Sequence, residues 1–360
     1  MKVIFLGDSI GTQRTGIHYY GLQLVRRMVQ ALPSCQFSIV LPQQRGDVNI
    51  EQIIVPIRKE IPFHLRLRQL ITIPRLIRKI EPDLVIELAH FGPFFLPRNI
   101  TRITVIHDLT PISHPEYHGM LSILMHNWLL PSILRATDQI IVNSKQTKRD
   151  LVNRMQLTAE QIHVVYPQIS SPRAIDRNRA TFRIPQQPYF LVVGTLEPRK
   201  NHLCILQAFE HIAVHYPDYK LVFAGQHGWK SEEFHTKLAK TSCKDQVLVT
   251  GYLSRTSLWN LYEHAFAFVQ ASHYEGFGLP VLEAMQFSLP LVLSDRPTLP
   301  EIAEDAALYF DPNDYIALAQ HMRDICDNAD LLMELRRKSQ HRCEAWTSMS
   351  QADFDFITKG

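Results

Sequence analysis

The feature that most constrains this chain is a pattern used twice. Short β-branched and aliphatic runs alternate with amphipathic stretches through both halves, as strands and crossover helices do in a parallel sheet. In the first half the strand candidates are Val3–Leu6, Phe37–Leu41, Ile53–Val55, Leu84–Leu88, Ile103–His107, Gln139–Asn143 and His163–Tyr166. Between the first two, Ile17, Leu24, Val25, Met28 and Leu32 share one helical face, making a βαβ unit. The second half restarts with Tyr189–Val193, Leu221–Ala224, Val247–Thr250, Phe266–Gln270, Leu291–Ser294 and Leu308–Phe310. At 360 residues the chain exceeds what one ordinary core supports. The reading is therefore α/β, with two Rossmann-like domains.

Pro167 to Pro172 and the polar run on to Pro188 suit a linker. The expected boundaries are a first domain at 1–170, a linker at 171–188, a second domain at 189–342, and a C-terminal helical segment at 343–360 packing back on the first domain. Pro312-Asn313-Asp314 starts a helix to about Cys326, Leu331 to Arg342 form another, and Trp346, Phe354 and Phe356 mark a closing amphipathic segment.

Hydrophobic residues at 46% and charged residues at 20% give a globular balance, and a net charge of +3 gives no sign of a nucleic-acid partner. Cys35, Cys204, Cys243, Cys326 and Cys343 are scattered, without metal-ligand spacing, and read as reduced, mostly buried thiols. The chain opens on strand-like Lys2–Leu6 with no secretion signal, and Leu121 to Leu134 is interrupted by His126, Asn127 and Pro131, short of the roughly 20 apolar residues a span needs. A cytoplasmic protein is expected, with peripheral contact at the inner face of the plasma membrane as a further option.

Three strand-to-helix junctions carry the chemistry. Gly7-Asp-Ser-Ile-Gly11-Thr-Gln-Arg-Thr-Gly16 follows the first strand, where glycines admit a ligand and a helix tip offers N–H groups to an anion. It lacks the dinucleotide fingerprint, and a tight structural turn accounts for it equally well. Gly194-Thr-Leu-Glu-Pro-Arg199-Lys200-Asn201 puts two cations at the carboxyl end of the second sheet, suited to a diphosphate, with Asn201 available as a helix cap. Cations at a helix start oppose its dipole, which favours a ligand-binding role over a solvated pair. In Ser272-His-Tyr-Glu275-Gly276-Phe277-Gly278-Leu279-Pro280-Val-Leu-Glu283, Pro280 fits a first helical position, so two carboxylates flank a helix tip. Carboxylates accept hydrogen bonds from sugar hydroxyls while the tip suits phosphate.

These residues resemble the retaining glycosyltransferases of family 4, also called group 1, whose GT-B fold has two Rossmann-like domains facing across a cleft. The likeness spans nearly the whole chain: two glutamates separated by seven residues, Glu275 and Glu283, an EGFGLP loop, the turn from Gly194 to Lys200, and a glycine-containing first loop at Gly11 and Gly16. The resemblance implies that Arg199 and Lys200 neutralise the donor diphosphate, Glu275 holds the transferred sugar and Glu283 the ribose. It also implies that Gly276, Phe277, Gly278, Leu279, Gly11 and Gly16 close on the phosphates. Tyr252 and Leu253, after Thr250-Gly251, resemble the turn against the nucleobase. His107, before Asp108, matches a histidine near the reacting sugar, although a lone histidine at a strand end is ordinarily structural. Ser288 stands where the family usually has glycine, so a local backbone adjustment is expected.

The family precedent is retention, with the departing phosphate taking the acceptor's proton, no metal, and no cofactor beyond the nucleotide-sugar donor. The stretches His107–Leu109 and Ser113–Tyr117 resemble mannosyltransferase-like members and make GDP-mannose the expected donor, with a carbohydrate or lipid-linked acceptor in surface polysaccharide or glycolipid synthesis. A nucleotide-sugar epimerase, a phosphorylase and a non-catalytic nucleotide-sugar binder are the rivals. Residues 58–80 hold Arg58, Lys59, Arg66, Arg68, Arg75, Arg78 and Lys79 among leucines and isoleucines. Such a stretch can lie on anionic lipid or be a surface helix with one buried face.

Overall fold

The computed structural model describes residues 1–12, 16–58, 64–92, 94–169, 182–350 and 354–357, without the side chains of residues 11, 12, 64 and 66. It divides into two compact units, Met1–Gln168 with Ser350–Gly360, and Ile169–Met349. Of the expected linker at 171–188, residues 171–181 lie outside the described residues.

The first unit holds a seven-stranded sheet in the order β3-β2-β1-β4-β5-β6-β7. Its strands are β1 (Lys2–Leu6), β2 (Gln36–Leu41), β3 (Glu51–Ile54), β4 (Leu84–Glu87), β5 (Thr101–Ile106), β6 (Gln139–Val142) and β7 (Ile162–Val164), all parallel. Alternate strand residues serve two cores, because successive side chains point to opposite faces. Val3, Phe5, Leu84 and Ile86 pack with Tyr20, Leu24, Val25 and Met28 of the helix Gly16–Ala31. Ile4, Leu6 and Val85 pack with Ile73 and Ile77 of the helix Ile73–Ile80. Phe354 and Ile357, near the end of the chain, join the first of these cores.

The second unit has a six-stranded parallel sheet in the order β10-β9-β8-β11-β12-β13. Its strands are β8 (Tyr189–Val193), β9 (Lys220–Ala224), β10 (Val247–Gly251), β11 (Ala267–Gln270), β12 (Leu291–Ser294) and β13 (Ala307–Phe310). Every expected strand is present, within the usual looseness of strand ends. In each sheet the strand order reverses beside the first strand, between β1 and β4 and between β8 and β11. Open α/β sheets bind ligands outside the carboxyl ends of their strands at such points.

Several expectations need correction. The segment after β1 is not an open loop: Asp8–Thr12 forms a short helix that includes Gly11, and Gly16 opens the next helix. The C-terminal helix runs unbroken from Ala329 to Met349, past Arg342, because Trp346 is fully buried against Phe277 at 5.6 Å between ring centroids. Only Cys204 and Cys243 are buried, the other three cysteines being half-buried. The basic stretch is three pieces, helix His64–Leu67, π-helix Arg68–Thr72 and helix Ile73–Ile80. Residues 59–63 fall outside the described residues. Arg68 points inward, fully buried, where it pairs with Asp8 and donates to the Val55 carbonyl at 2.8 Å.

Ser288 follows the helix Leu279–Gln286 and adopts φ 52°, the left-handed region. Its N–H donates to the Met285 carbonyl at 2.9 Å and that of Leu289 to the Ala284 carbonyl at 3.2 Å. This pair of bonds is the Schellman closure that usually takes glycine. The serine has therefore accepted the glycine conformation rather than shifting the backbone. A non-glycine residue there costs about 1 to 2 kcal/mol, so Ser288→Gly is expected to raise the melting temperature by a few degrees. A melt of the variant at or below the parent's would contradict this reading of the turn.

Candidate functional site

The carboxyl end of β8 is built around glycine. Gly194 has φ 150°, a conformation side chains rarely adopt, and its carbonyl lies where a Cβ on Gly225, after β9, would come within 1.8 Å. Glycine is required at Gly225 by this close approach. The turn continues into the short 3-10 helix Pro198–Lys200 and then Asn201, in the left-handed region at φ 54°. Asn201 does not cap the following helix His202–Ala213 with its side chain, which instead donates to the Pro312 carbonyl at 2.7 Å. That bond ties the turn to the segment after β13.

The turn directs both cations onto one carboxylate. Lys200 Nζ donates to Glu275 Oε1 at 2.5 Å, and Arg199 donates to Glu275 Oε2 at 3.0 Å, to the Tyr274 carbonyl at 2.8 Å and to Glu197 at 2.5 Å. Gln270 at the end of β11 and Ser272 also donate to Oε1, at 2.8 and 2.6 Å. Thr298 and Ser294 anchor the loop backbone by donating to the carbonyls of Glu275 and Ser272, each at 2.7 Å. Burial would raise the Glu275 carboxyl, but Lys200 and then Arg199 outweigh it, and the group is held at about 2. Glu275 is thus a buried carboxylate, and the donors converging on Oε1 leave Oε2 as its less occupied oxygen.

Past Glu275, Gly276, Phe277 and Gly278 are buried. Gly278 has φ 114°, and a Cβ there would meet Leu299 at 3.0 Å and Ile302 at 3.2 Å. The helix Leu279–Gln286 starts immediately after it, with Leu279 first and Pro280 second, one place later than expected and still within the first turn, where its missing N–H is no loss. Phe277 turns its ring into the core against Trp346, so it offers a ligand only its backbone. Glu283, on the same helix, has its own partners: Arg255 donates to Oε1 at 2.6 Å and Tyr262 to Oε2 at 3.0 Å. Arg255 also lies over the Trp259 ring, 4.9 Å from its centroid. Burial, and then Glu283, push the Tyr262 hydroxyl well above its ordinary range. Each Glu283 oxygen has one donor here, which leaves acceptor capacity for a diol.

The second unit therefore gathers Arg199, Lys200, Glu275 and Gly194, and joins them to Glu283 through the Gly276–Leu279 segment. Tyr252, exposed, and Leu253, half-buried, follow β10. Gly11, Gly16 and His107 belong to the first unit, where His107 is buried just past β5. Arg255, Tyr262, Gln270 and Thr298 escaped the sequence reading because their roles come from tertiary packing. Tyr262 and Arg255 sit on the helix Arg255–His264, where they resemble ordinary helical residues.

A carboxyl held low in the folded chain stabilises it above the unfolded chain's value, near 4.5, and that stabilisation fades as pH falls from there toward 2. Glu275→Gln is expected to be less stable than the parent at neutral pH, with the difference shrinking below about pH 4. Denaturant melts at both ends of that window check this. A constant difference would mean that Glu275 does not carry the charge assigned to it.

The model of the Glycosyl transferases group 1 family matches residues 174–342, and that of Glycosyltransferase Family 4 matches residues 15–171. O-antigen chain mannosyltransferase B of Escherichia coli is 29% identical over 344 residues, covering 89% of this chain and 90% of that protein. O-antigen chain mannosyltransferase RfbU of Salmonella typhimurium is 26% identical over 239 residues, 66% of this chain and 64% of that protein. Anabaena HepE, solved with UDP-glucose, superposes with a TM-score of 0.74 over 100% of both chains at 14% identity, a likeness of fold. With both parallel-sheet units matched and nearly all of the chain accounted for, this protein belongs to the group 1, or family 4, glycosyltransferases of GT-B fold.

Proposed function

We propose that the chain is a retaining, metal-independent mannosyltransferase that moves mannose from GDP-mannose to a hydroxyl of a carbohydrate or lipid-linked acceptor in bacterial surface polysaccharide synthesis. The observation that carries this reading is the cation pair converging on the buried carboxylate of Glu275, three residues before the Gly278 helix start. The O-antigen mannosyltransferase relatives support the sugar and the pathway class.

In the proposed reaction the anomeric carbon's bond to the donor phosphate breaks as its bond to the acceptor oxygen forms on the same face. The acceptor's proton passes to the departing phosphate. Arg199 and Lys200 oppose the negative charge that grows on the diphosphate, and fixed charges aimed at developing charge often contribute more to catalysis than any other effect. Lys200 brings three N–H donors of which Glu275 takes one, so a phosphate oxygen can share the ammonium without breaking the pair. Glu275 Oε2 accepts from a sugar hydroxyl, Glu283 from the ribose, and the Gly276–Leu279 backbone meets the phosphates. The turn at Tyr252 and Leu253 lies against the base. Gly11, Gly16 and His107 are the first unit's contribution, with His107 near the transferred sugar.

Contact with an anionic membrane surface through residues 58–80 also belongs to this proposal. The helix Ile73–Ile80 buries one face through Ile73 and Ile77, as an ordinary surface helix does, but Leu65, Leu67, Leu70 and Ile71 before it are substantially exposed. No helix among the described residues is long and apolar enough to cross a membrane.

In a thermal-shift series, GDP and GDP-mannose are expected to raise the melting temperature more than UDP, ADP or dTDP sugars do, with or without EDTA. A larger shift with a UDP-sugar would replace the donor, and loss of the shift in EDTA would remove metal independence. Lys200→Gln keeps an N–H donor for Glu275 and is expected to fold while losing about a hundredfold or more in turnover. Parental turnover would remove the diphosphate role. Phosphatidylglycerol vesicles are expected to pellet the chain where phosphatidylcholine vesicles do not, and equal pelleting would end the membrane proposal.

A further inference from the structure

His107 is held by a segment that the nucleotide-sugar reading does not use. Leu88 and His90 lie just beyond β4 and grip His107 at two points. The Leu88 carbonyl lies 2.9 Å from His107 Nε2, and the His107 backbone N–H donates to His90 Nε2 at 3.0 Å. The two rings stack at 5.5 Å with 17° between their planes. His126, on the helix Met120–Trp128, stands edge-on to His90 at 5.5 Å, with its Nε2 3.3 Å from His90 Nδ1. The series ends where His126 Nδ1 meets the Ser122 carbonyl at 2.8 Å.

These partners dictate where every proton sits. A carbonyl only accepts, so His126 carries its proton on Nδ1 and, as a neutral ring, offers Nε2 as an acceptor. His90 must then donate from Nδ1, which leaves its Nε2 free to accept the His107 backbone N–H. The opposite His90 tautomer, or its protonated form, would set one N–H against another. Burial lowers all three rings from their ordinary range, His90 to about 3, in keeping with a neutral series. His107 itself carries its proton on Nε2, toward Leu88, so its Nδ1 presents a lone pair. His90 also stands at φ 50°, an uncommon conformation for a residue with a side chain. Local strain of this kind persists where surrounding contacts over-determine it.

We propose that His90 and His126 are positioning residues that hold His107 as its Nε2-protonated tautomer, with Nδ1 presented as a hydrogen-bond acceptor toward a hydroxyl of the transferred sugar. The last clause rests on the placement of His107 near that sugar. His90 locks the backbone of the strand end, Leu88 locks the ring, and His126 locks His90.

The test combines side-chain ¹⁵N spectra of histidine-labelled protein with kinetics of His107→Ala, His90→Leu, His90→Gln and His126→Phe. Thermal melts confirm that each variant is folded. The donor is GDP-mannose or, if that gives no turnover, the nucleotide sugar with the largest thermal shift. In the parent, His107 is expected to read as protonated on Nε2, and His90 and His126 on Nδ1, at neutral pH. His90→Leu is expected to lose about tenfold in kcat with little change in donor KM. His90→Gln, whose carbonyl can accept the same N–H, is expected to recover most of that loss. His126→Phe is expected to blur the His90 tautomer signature and lower kcat by a smaller factor. A parent spectrum with His107 or His90 in the other tautomer overturns the proposal. So does an inactive His107→Ala beside a fully active His90→Leu. A fully active His107→Ala instead removes the placement of His107 near the sugar, and the functional part of the proposal with it.

Discussion

The carboxylate of Glu275 holds the second unit's site together. An isolated charge at its depth would be neutralised by protonation, since desolvation of an unpaired ion costs far more than an interaction can easily return. Here Lys200, Arg199, Gln270 and Ser272 all donate to it, and the group stays ionised. The benefit runs both ways. Two long cationic side chains, which would otherwise sample many rotamers, are fixed in one geometry before any ligand arrives. The glycines serve this arrangement: Gly194 and Gly225 let two strand ends close on each other beneath Lys200, and Gly278 turns the chain into a helix that starts four residues after Glu275.

The division of labour suggested by the motifs alone changes accordingly. Arg199 and Lys200 read as phosphate ligands and Glu275 as a sugar ligand, as if they were independent groups. The structure makes them one network, in which Glu275 is the counter-charge that organises the cations and Arg199 is shared further with Glu197 and the Tyr274 carbonyl. Under the proposed function, a diphosphate entering such a site would compete with a carboxylate for the cations rather than meet them bare. That competition would moderate ground-state binding and leave the stronger interaction for the moment when the leaving group gains charge, the kind of difference that accelerates a reaction.

Much of the fold was legible because parallel strands buried on both faces have to be largely aliphatic runs, as inner strands such as β4, β8 and β12 are, while the edge strands β3 and β10 are only partly buried. The start of the helix at Leu279 was legible for a local reason, a glycine two residues before a proline. What escaped was set by packing between distant segments. Nothing near Asn201 indicates that its side chain reaches Pro312, and nothing near Arg68 in a basic stretch indicates that it turns inward to Asp8. The short helix Asp8–Thr12 replaced an expected open loop, and Ser288 took a glycine conformation because the Schellman bonds around it outweigh the local cost. The partners of Glu283, Arg255 and Tyr262, lie on another helix and carry no motif of their own.

The central claim is that the two cations gripped by Glu275 are also the ones that receive the donor's phosphates. A crystal structure of the chain with GDP-mannose tests it directly. Phosphate oxygens are expected at about 3 Å from both Arg199 and Lys200 while Glu275 stays within reach of the same side chains. A diphosphate seated elsewhere, with the cations still turned wholly to Glu197 and Glu275, would contradict it.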